Sequence, residues 1–214
     1  MIETQVASLT SAAQRVLEVA SVAGVEFSTP AVAAGGEMEI EFVEEHCAEL
    51  ARHGHFLQER GLIQWPDTTV GTGYRFVHAL YQEVLYQRLP VRQRMAVHQR
   101  MGLRYEQAYD GQTAGMAPEL ALHFTQGREF RRAVLYRRQA AEVAMRRSAY
   151  QEAIVHLTHG LDILREIPDA VERLREVGEG FGMRGVRKGF GAGLAKIRHR
   201  FLGERPARGV MRQP

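Results

Sequence analysis

The sequence predicts a mainly α fold that carries one small β-hairpin, continues as antiparallel helices and ends in a disordered tail. Three observations lead there. From Tyr74 to Leu89 (YRFVHALYQEVLYQRL) the residues first alternate, Tyr74 and Phe76 on one side and Arg75 and Val77 on the other, as in a strand. From Val77 the period lengthens, and Val77, Leu80, Tyr81, Val84 and Leu85 recur as one face of a helix. Beyond Pro90 the apolar residues keep that helical period as far as Leu164. After Pro168 it fades, with nine glycines between Gly178 and Gly209, each costing a helix ~1 kcal/mol relative to alanine.

Taken in order, Thr10 to Ala23 reads as a helix with Thr10 as its N-cap, Ala13, Val16, Leu17 and Ala20 as its apolar face, and Gly24 after its end. Val25 to Phe27 is a short extended link. Ser28, Thr29 and Pro30 open a second helix that stops at Gly35-Gly36, with Pro30 suited to a first turn. A third runs from about Met38 to Arg52 with Ile40, Val43, Cys47 and Leu50 inward, and Gly54 stops it. His55 to Trp65 is a strand interrupted by a Glu59-Arg60-Gly61 bend. Pro66 to Thr69 is a turn, and Gly71 to Val77 is the returning strand. Three helices and a hairpin are the order of a winged helix, which places residues 1–89 in a winged-helix domain with the hairpin as its wing.

Pro90 begins a long helix with Val91, Met95, His98, Met101, Tyr105 and Ala108 inward, broken at Asp110-Gly111-Gln112. Pro118 opens the next, with Leu120, Ala121 and Phe124 inward and Gly127 at its end. Phe130, Ala133, Val134, Ala140, Ala141 and Ala144 mark another, and Tyr150, Ala153, Ile154, Leu157, Leu161 and Leu164 the last. The small faces suit closely packed antiparallel pairs. Gly127 to Ala133 echoes Ser148 to Ala153: a small residue, an aromatic, then alanine three later. Tyr150, Ala153, Leu157, Gly160 and Leu161 match the second helix of a tetratricopeptide repeat, although Arg137 stands where the early aromatic belongs. Residues 90–167 therefore read as tetratricopeptide-like helices, and 168–214 as a Gly/Arg-rich, largely disordered tail.

Composition narrows the function classes. Hydrophobic residues at 45% and charged residues at 25% are ordinary for a soluble globular chain. No apolar run approaches a membrane span, and no basic flank precedes an apolar start, so a cytoplasmic protein is expected. Cys47 is the single cysteine, which rules out an intrachain disulfide and any zinc site that needs several thiolates. The net charge of +3 hides segregation. Residues 1–87 hold four arginines against twelve acids, 88–147 twelve against five, and 181–214 nine basic residues against one acid. An acidic block beside a basic block is most simply two parts that attract each other.

The run YRFVHALYQEVLYQRLPVRQR, with LTSAAQRVLEVASVAGVEFS before it and RRSAYQEAIVHLTHGLDIL after it, resembles bacterial signalling ATPases of the STAND class of AAA proteins. The resemblance covers roughly residues 7–167. In that family an ATPase comes first, then a winged helix, then tetratricopeptide-like helices, and some members carry an adenylate or guanylate cyclase. The phosphate loop G-x-x-x-x-G-K-[ST] is missing here, so the family's nucleotide-binding residues have no counterparts in these 214 residues. The resemblance implies a fragment whose partner is protein, namely an ATPase module or another signalling domain. The Gly-Arg tail departs from the family and is what a shifted frame in GC-rich DNA would encode.

No catalytic, cofactor-binding or metal residue is assigned, and no enzyme activity is expected. Gly180 to Gly185 spells G-x-G-x-x-G, but the preceding VERLREVGE is charged and helical in period where a dinucleotide fold needs an apolar strand. His46, Cys47, His53 and His55 are close in sequence, but Cys47 faces inward and His46 is turned away by about 100°. His78 reads as capping a helix start or bonding the backbone of the wing, and His156 and His159 as a pair on one helix face with no acidic or thiol partner. The expected contact surfaces are acidic Glu37, Glu41, Glu44 and Glu45 in the third helix, and Arg131, Arg132, Arg137 and Arg138, which are expected to meet them. The same glutamates repel phosphate, so DNA binding by a transcription regulator ranks second. A remnant of an ATP-binding cyclase ranks third.

Overall fold

The computed structural model describes residues 2–165; the expected disordered tail and the Gly180–Gly185 motif lie outside the described residues. Those described form nine α-helices, one 3-10 turn and a three-stranded antiparallel sheet. A short first helix, α1 (Ile2–Ala7), was not anticipated; its Val6 is fully buried. Thr10 then caps α2 (Ser11–Ala23), its Oγ1 accepting the Ala13 N–H at 3.2 Å. The chain leaves α2 through Gly24 at φ 124°, a conformation that favours glycine.

The expected extended link is a strand, β1 (Glu26–Ser28), because Phe27 packs on Tyr74 and Phe76 at ring separations of 6.1 and 5.5 Å. Helices α3 (Thr29–Gly36) and α4 (Ile40–Arg52) follow, and Val43, Cys47 and Leu50 of α4 are buried. The hairpin is β2 (Leu57–Gln64) and β3 (Val70–Phe76), with sheet order β1-β3-β2 and register Leu57↔Phe76 to Gln64↔Val70. The bend expected at Glu59-Arg60-Gly61 is a bulge between Glu59 and Gly61.

Helix α5 (Ala79–Arg88) buries a narrower face than its periodicity suggests. Tyr81 and Leu85 are buried, whereas Leu80 is 55% exposed and Val77 is also exposed. The helix rests mainly on α2, which covers one flank only. In α6 (Val91–Ala108) the expected Val91 is 61% exposed at the first turn, and Val97, not anticipated, is buried with His98 and Met101. Val97 and Met101 join the same core as Val16, Leu17, Val43 and Phe76.

After the 3-10 turn (Thr113–Met116) come α7 (Ala117–Gln126), α8 (Phe130–Arg146) and α9 (Tyr150–Arg165). Leu120, Ala121 and Phe124 of α7 are buried, as are Ala133, Ala140, Ala141 and Ala144 of α8. Tyr136 joins them, stacked on Phe124 at 5.6 Å. The buried line of α9 is Ala153, His156, Gly160 and Ile163. Tyr150, expected inward, is 64% exposed, and Leu161 is exposed too. Small residues set the closest α8–α9 approach, and a Cβ on Gly160 would lie 3.5 Å from Arg137 Cβ. Larger side chains are displaced to the flank. The weak sequence echo has a backbone counterpart: Arg128 (φ 59°) and Ser148 (φ 61°) are both left-handed, each two residues before the aromatic that opens the next helix. No described helix is long and apolar enough to cross a membrane.

Candidate interaction surface

The polar side chains concentrate where α6 crosses the N-terminal elements. Arg104 of α6 reaches the hairpin turn, donating to Asp67 Oδ2 at 2.7 Å and to Thr69 Oγ1 at 2.6 Å, with its guanidinium 4.8 Å above the Trp65 ring. Trp65 is buried against Ala31 and Ala108, with Tyr105 and Tyr109 beside it. The turn is closed by Trp65 N–H to Thr69 O at 2.9 Å and by Thr69 N–H to Asp67 Oδ1 at 3.0 Å. Desolvation pushes the Asp67 carboxyl up, but the hydrogen bonds from Thr69 and Arg104 outweigh it and hold the group below its ordinary range. Burial pushes the Tyr105 hydroxyl up to about 12, so it stays a neutral hydrogen-bonding group, bonded to Ser28.

One turn earlier, Arg100 donates to Gly35 O at 2.9 Å and pairs with Glu37 Oε2 at 3.1 Å. Arg15 of α2 donates to Gly36 O at 3.2 Å. Both guanidiniums thus satisfy carbonyls at the C-terminus of α3, the negative end of its dipole. Glu37 itself sits in the left-handed region at φ 53°, at a cost of about 1–2 kcal/mol for a non-glycine residue.

The predicted contact residues are distributed differently from expectation. Glu44 is half-buried and accepts from Thr29 Oγ1 at 3.0 Å and Thr72 Oγ1 at 3.4 Å, while Thr29 Oγ1 accepts the Thr72 N–H at 2.9 Å. It ties α3, α4 and β3 together from inside. Glu41 and Glu45 lie on the exposed face of α4, and Glu37 is taken by Arg100. On α8, Arg131 is exposed, Arg132 lies 3.7 Å from Glu106 and over the Phe124 ring, and Arg138 pairs with Glu142 at 3.6 Å. Arg137 Nη1 lies 3.4 Å from His156 Nδ1. None of these pairs joins the acidic helix to the arginine-rich one. The basic residues that meet the acidic half include Arg88 of α5, 3.4 Å from Glu18, and Arg100 and Arg104 of α6, none of which periodicity alone singled out.

The histidines and Cys47 also find local partners. Cys47 is fully buried, and desolvation, with Glu44 nearby, pushes its thiol up to about 12, so it carries no thiolate near neutrality. His46 and His53 bond through Nδ1 to Phe42 O (2.8 Å) and Glu49 O (2.9 Å) of their own helix. His78 occupies the N-cap of α5 but makes no side-chain cap bond; its ring stacks on Tyr81 at 5.9 Å. His156 does have an acidic neighbour, with Glu152 Oε1 3.9 Å away. Among the described residues no group of three His, Cys, Asp or Glu is placed to hold a metal ion.

A buried chain was not foreseen: Tyr86 OH to His98 Nε2 at 3.0 Å, and His98 Nδ1 to His123 Nδ1 at 3.0 Å. It links α5, α6 and α7. Burial lowers both imidazoles, His98 to about 3 with further lowering from His123 and Arg94, and His123 to about 4. The sequence signal was His98 at an inward position and His123 on the face shared by Leu120 and Phe124.

No protein-family model matches the chain, and no curated protein or solved structure matches it either.

Proposed function

We propose that this chain is a non-catalytic, protein-binding regulatory module: a winged-helix-like unit continued by tetratricopeptide-like helices, of the kind found behind the ATPase of STAND signalling proteins. The succession α2, β1, α3, α4, β2, β3 with sheet order β1-β3-β2 supports the winged-helix reading. The paired helices α6–α9, with matching left-handed corners at Arg128 and Ser148, support the repeat reading. Its partner is a protein domain in the same cytoplasmic complex, and regulation works through an interface equilibrium.

The observation that carries the proposal is the Arg104 contact. A wing that grips nucleic acid must be free to reach phosphate. Here the hairpin turn is held down on α6 through Asp67, Thr69 and Trp65. The other face such a unit would offer a duplex, α4, is lined by Glu41, Glu45 and Glu49, and each of these repels phosphate.

The test is an electrophoretic shift with random duplex DNA at low salt, using the full chain. The expected result is no retarded band. A band that disappears on Arg60→Ala in the hairpin would overturn the proposal in favour of a DNA-binding regulator.

A further inference from the structure

Beside the Arg100 contact runs a groove of about 320 Å³ between α2 and α6, with Gly36 also in its lining. Val19, Leu89 and Val97 form its apolar floor, and Arg15, Arg92 and Arg100 stand around it. Its size is at the lower end of ligand-binding sites, enough for one side chain and its flanking backbone.

The three arginines are not equivalent. Arg15 and Arg100 are already anchored, to Gly36 O and to Gly35 O with Glu37. A guanidinium carries five N–H donors, so each retains several for a ligand while its position is set in advance. Arg92 is exposed on the first turns of α6. The carboxylate in the wall, Glu18, is paired with Arg88 at 3.4 Å. The groove is therefore net cationic at its rim and apolar at its base.

We propose that this groove binds an acidic peptide segment of a partner protein, seating one small apolar side chain on Val19, Leu89 and Val97 between carboxylates held by Arg15, Arg92 and Arg100. Duplex DNA fits less well: it is too wide to enter, has no use for the apolar floor and meets Glu37 at the lip. The proposal deepens the protein-binding reading and rests on it.

The experiment measures fluorescence anisotropy of a fluorescein-labelled peptide, Asp and Glu residues around a single Leu, titrated with the full chain. Saturable binding that weakens with salt is expected, with at least ~tenfold weaker binding for Arg92→Glu. Gln93→Glu places a carboxylate in the same groove and is expected to act in the same direction. Arg146→Glu makes the same charge change at the exposed end of α8, outside the groove, and is expected to leave binding intact. Circular dichroism melts that match the parent show that the variants fold. The proposal is overturned if the peptide does not bind, if Arg146→Glu weakens binding as much as Arg92→Glu, or if an oligodeoxynucleotide of equal charge binds as tightly. Loss of peptide binding with no DNA shift removes only the groove. A DNA shift that depends on the hairpin removes the protein-binding reading itself.

Discussion

His98 and His123 show how position decides the chemistry of a side chain. Each is nearly inaccessible, and their Nδ1 atoms face each other at 3.0 Å. One ring donates and the other accepts while both are neutral; two imidazolium rings would oppose N–H to N–H. The other titratable or charged groups around them are Tyr86 from α5 and Arg94 and Tyr105 from α6. No carboxylate contributes to either ring's shift, so nothing offsets desolvation. The ordinary value is 6.5, and the folded values fall to about 3 and about 4. Stability from this pair is thus fully present above pH 6.5. It declines as pH falls toward the folded values, because the unfolded chain takes up protons the folded one refuses. Each such proton costs roughly 1.4 kcal/mol per pH unit. Urea unfolding at neutral and mildly acid pH is expected to show this loss, and the double variant His98→Phe, His123→Leu to flatten it. Equal pH dependence in parent and double variant would show that the pair contributes nothing.

At the scale of elements, α6 does two things. It completes the N-terminal core with Val97 and Met101, and it carries Arg100 and Arg104 to α3 and the hairpin turn. Gly35 allows this approach: a Cβ there would come within 2.6 Å of Met101 Cε and 3.2 Å of Val97 Cγ1. Gly35→Leu is expected to destabilise the chain by ~1–3 kcal/mol through overpacking, against a helix-propensity gain of up to ~1 kcal/mol. Gly115→Ala, where no atom lies within 4 Å, is the control and is expected to stay within about 0.5 kcal/mol. A neutral or stabilising Gly35→Leu would mean that α3 and α6 are farther apart. Element order was legible in the sequence because period changes and Gly or Pro punctuation mark it: Thr10, Gly24, Pro30 and Pro90 lie at or next to element ends, and Gly54 follows the C-cap of α4. The hairpin and its bulge were legible for the same reason. Periodicity could not say which flank of a two-sided apolar face is covered, so Val91, Leu80 and Tyr150 were placed inward wrongly. Nor could it find the interface. Charge blocks pointed to an acidic half meeting a basic one, but which arginines meet it depends on the crossing of α6 over α3, a tertiary fact. Glu44 shows the converse: its charge suggested a surface, while Thr29 and Thr72 draw it inward.

At the largest scale, the described residues 2–165 cluster as one compact unit, and the hairpin belongs to it through its turn as well as its strands. That continuity distinguishes this fold from one with a free hairpin, and the proposed protein-binding role depends on it. Amide hydrogen exchange tests it most directly, read at Trp65, Thr68 and Thr69 in the parent chain and in Arg104→Ala. In the parent these amides are expected to be protected nearly as well as those in the middle of α6, since Trp65 and Thr68 bond within the turn and Thr69 bonds Asp67. In Arg104→Ala the turn is expected to exchange like an open loop while α6 keeps its protection. Turn amides that already exchange freely in the parent would show that the hairpin is not held on α6, and would contradict the account at its centre.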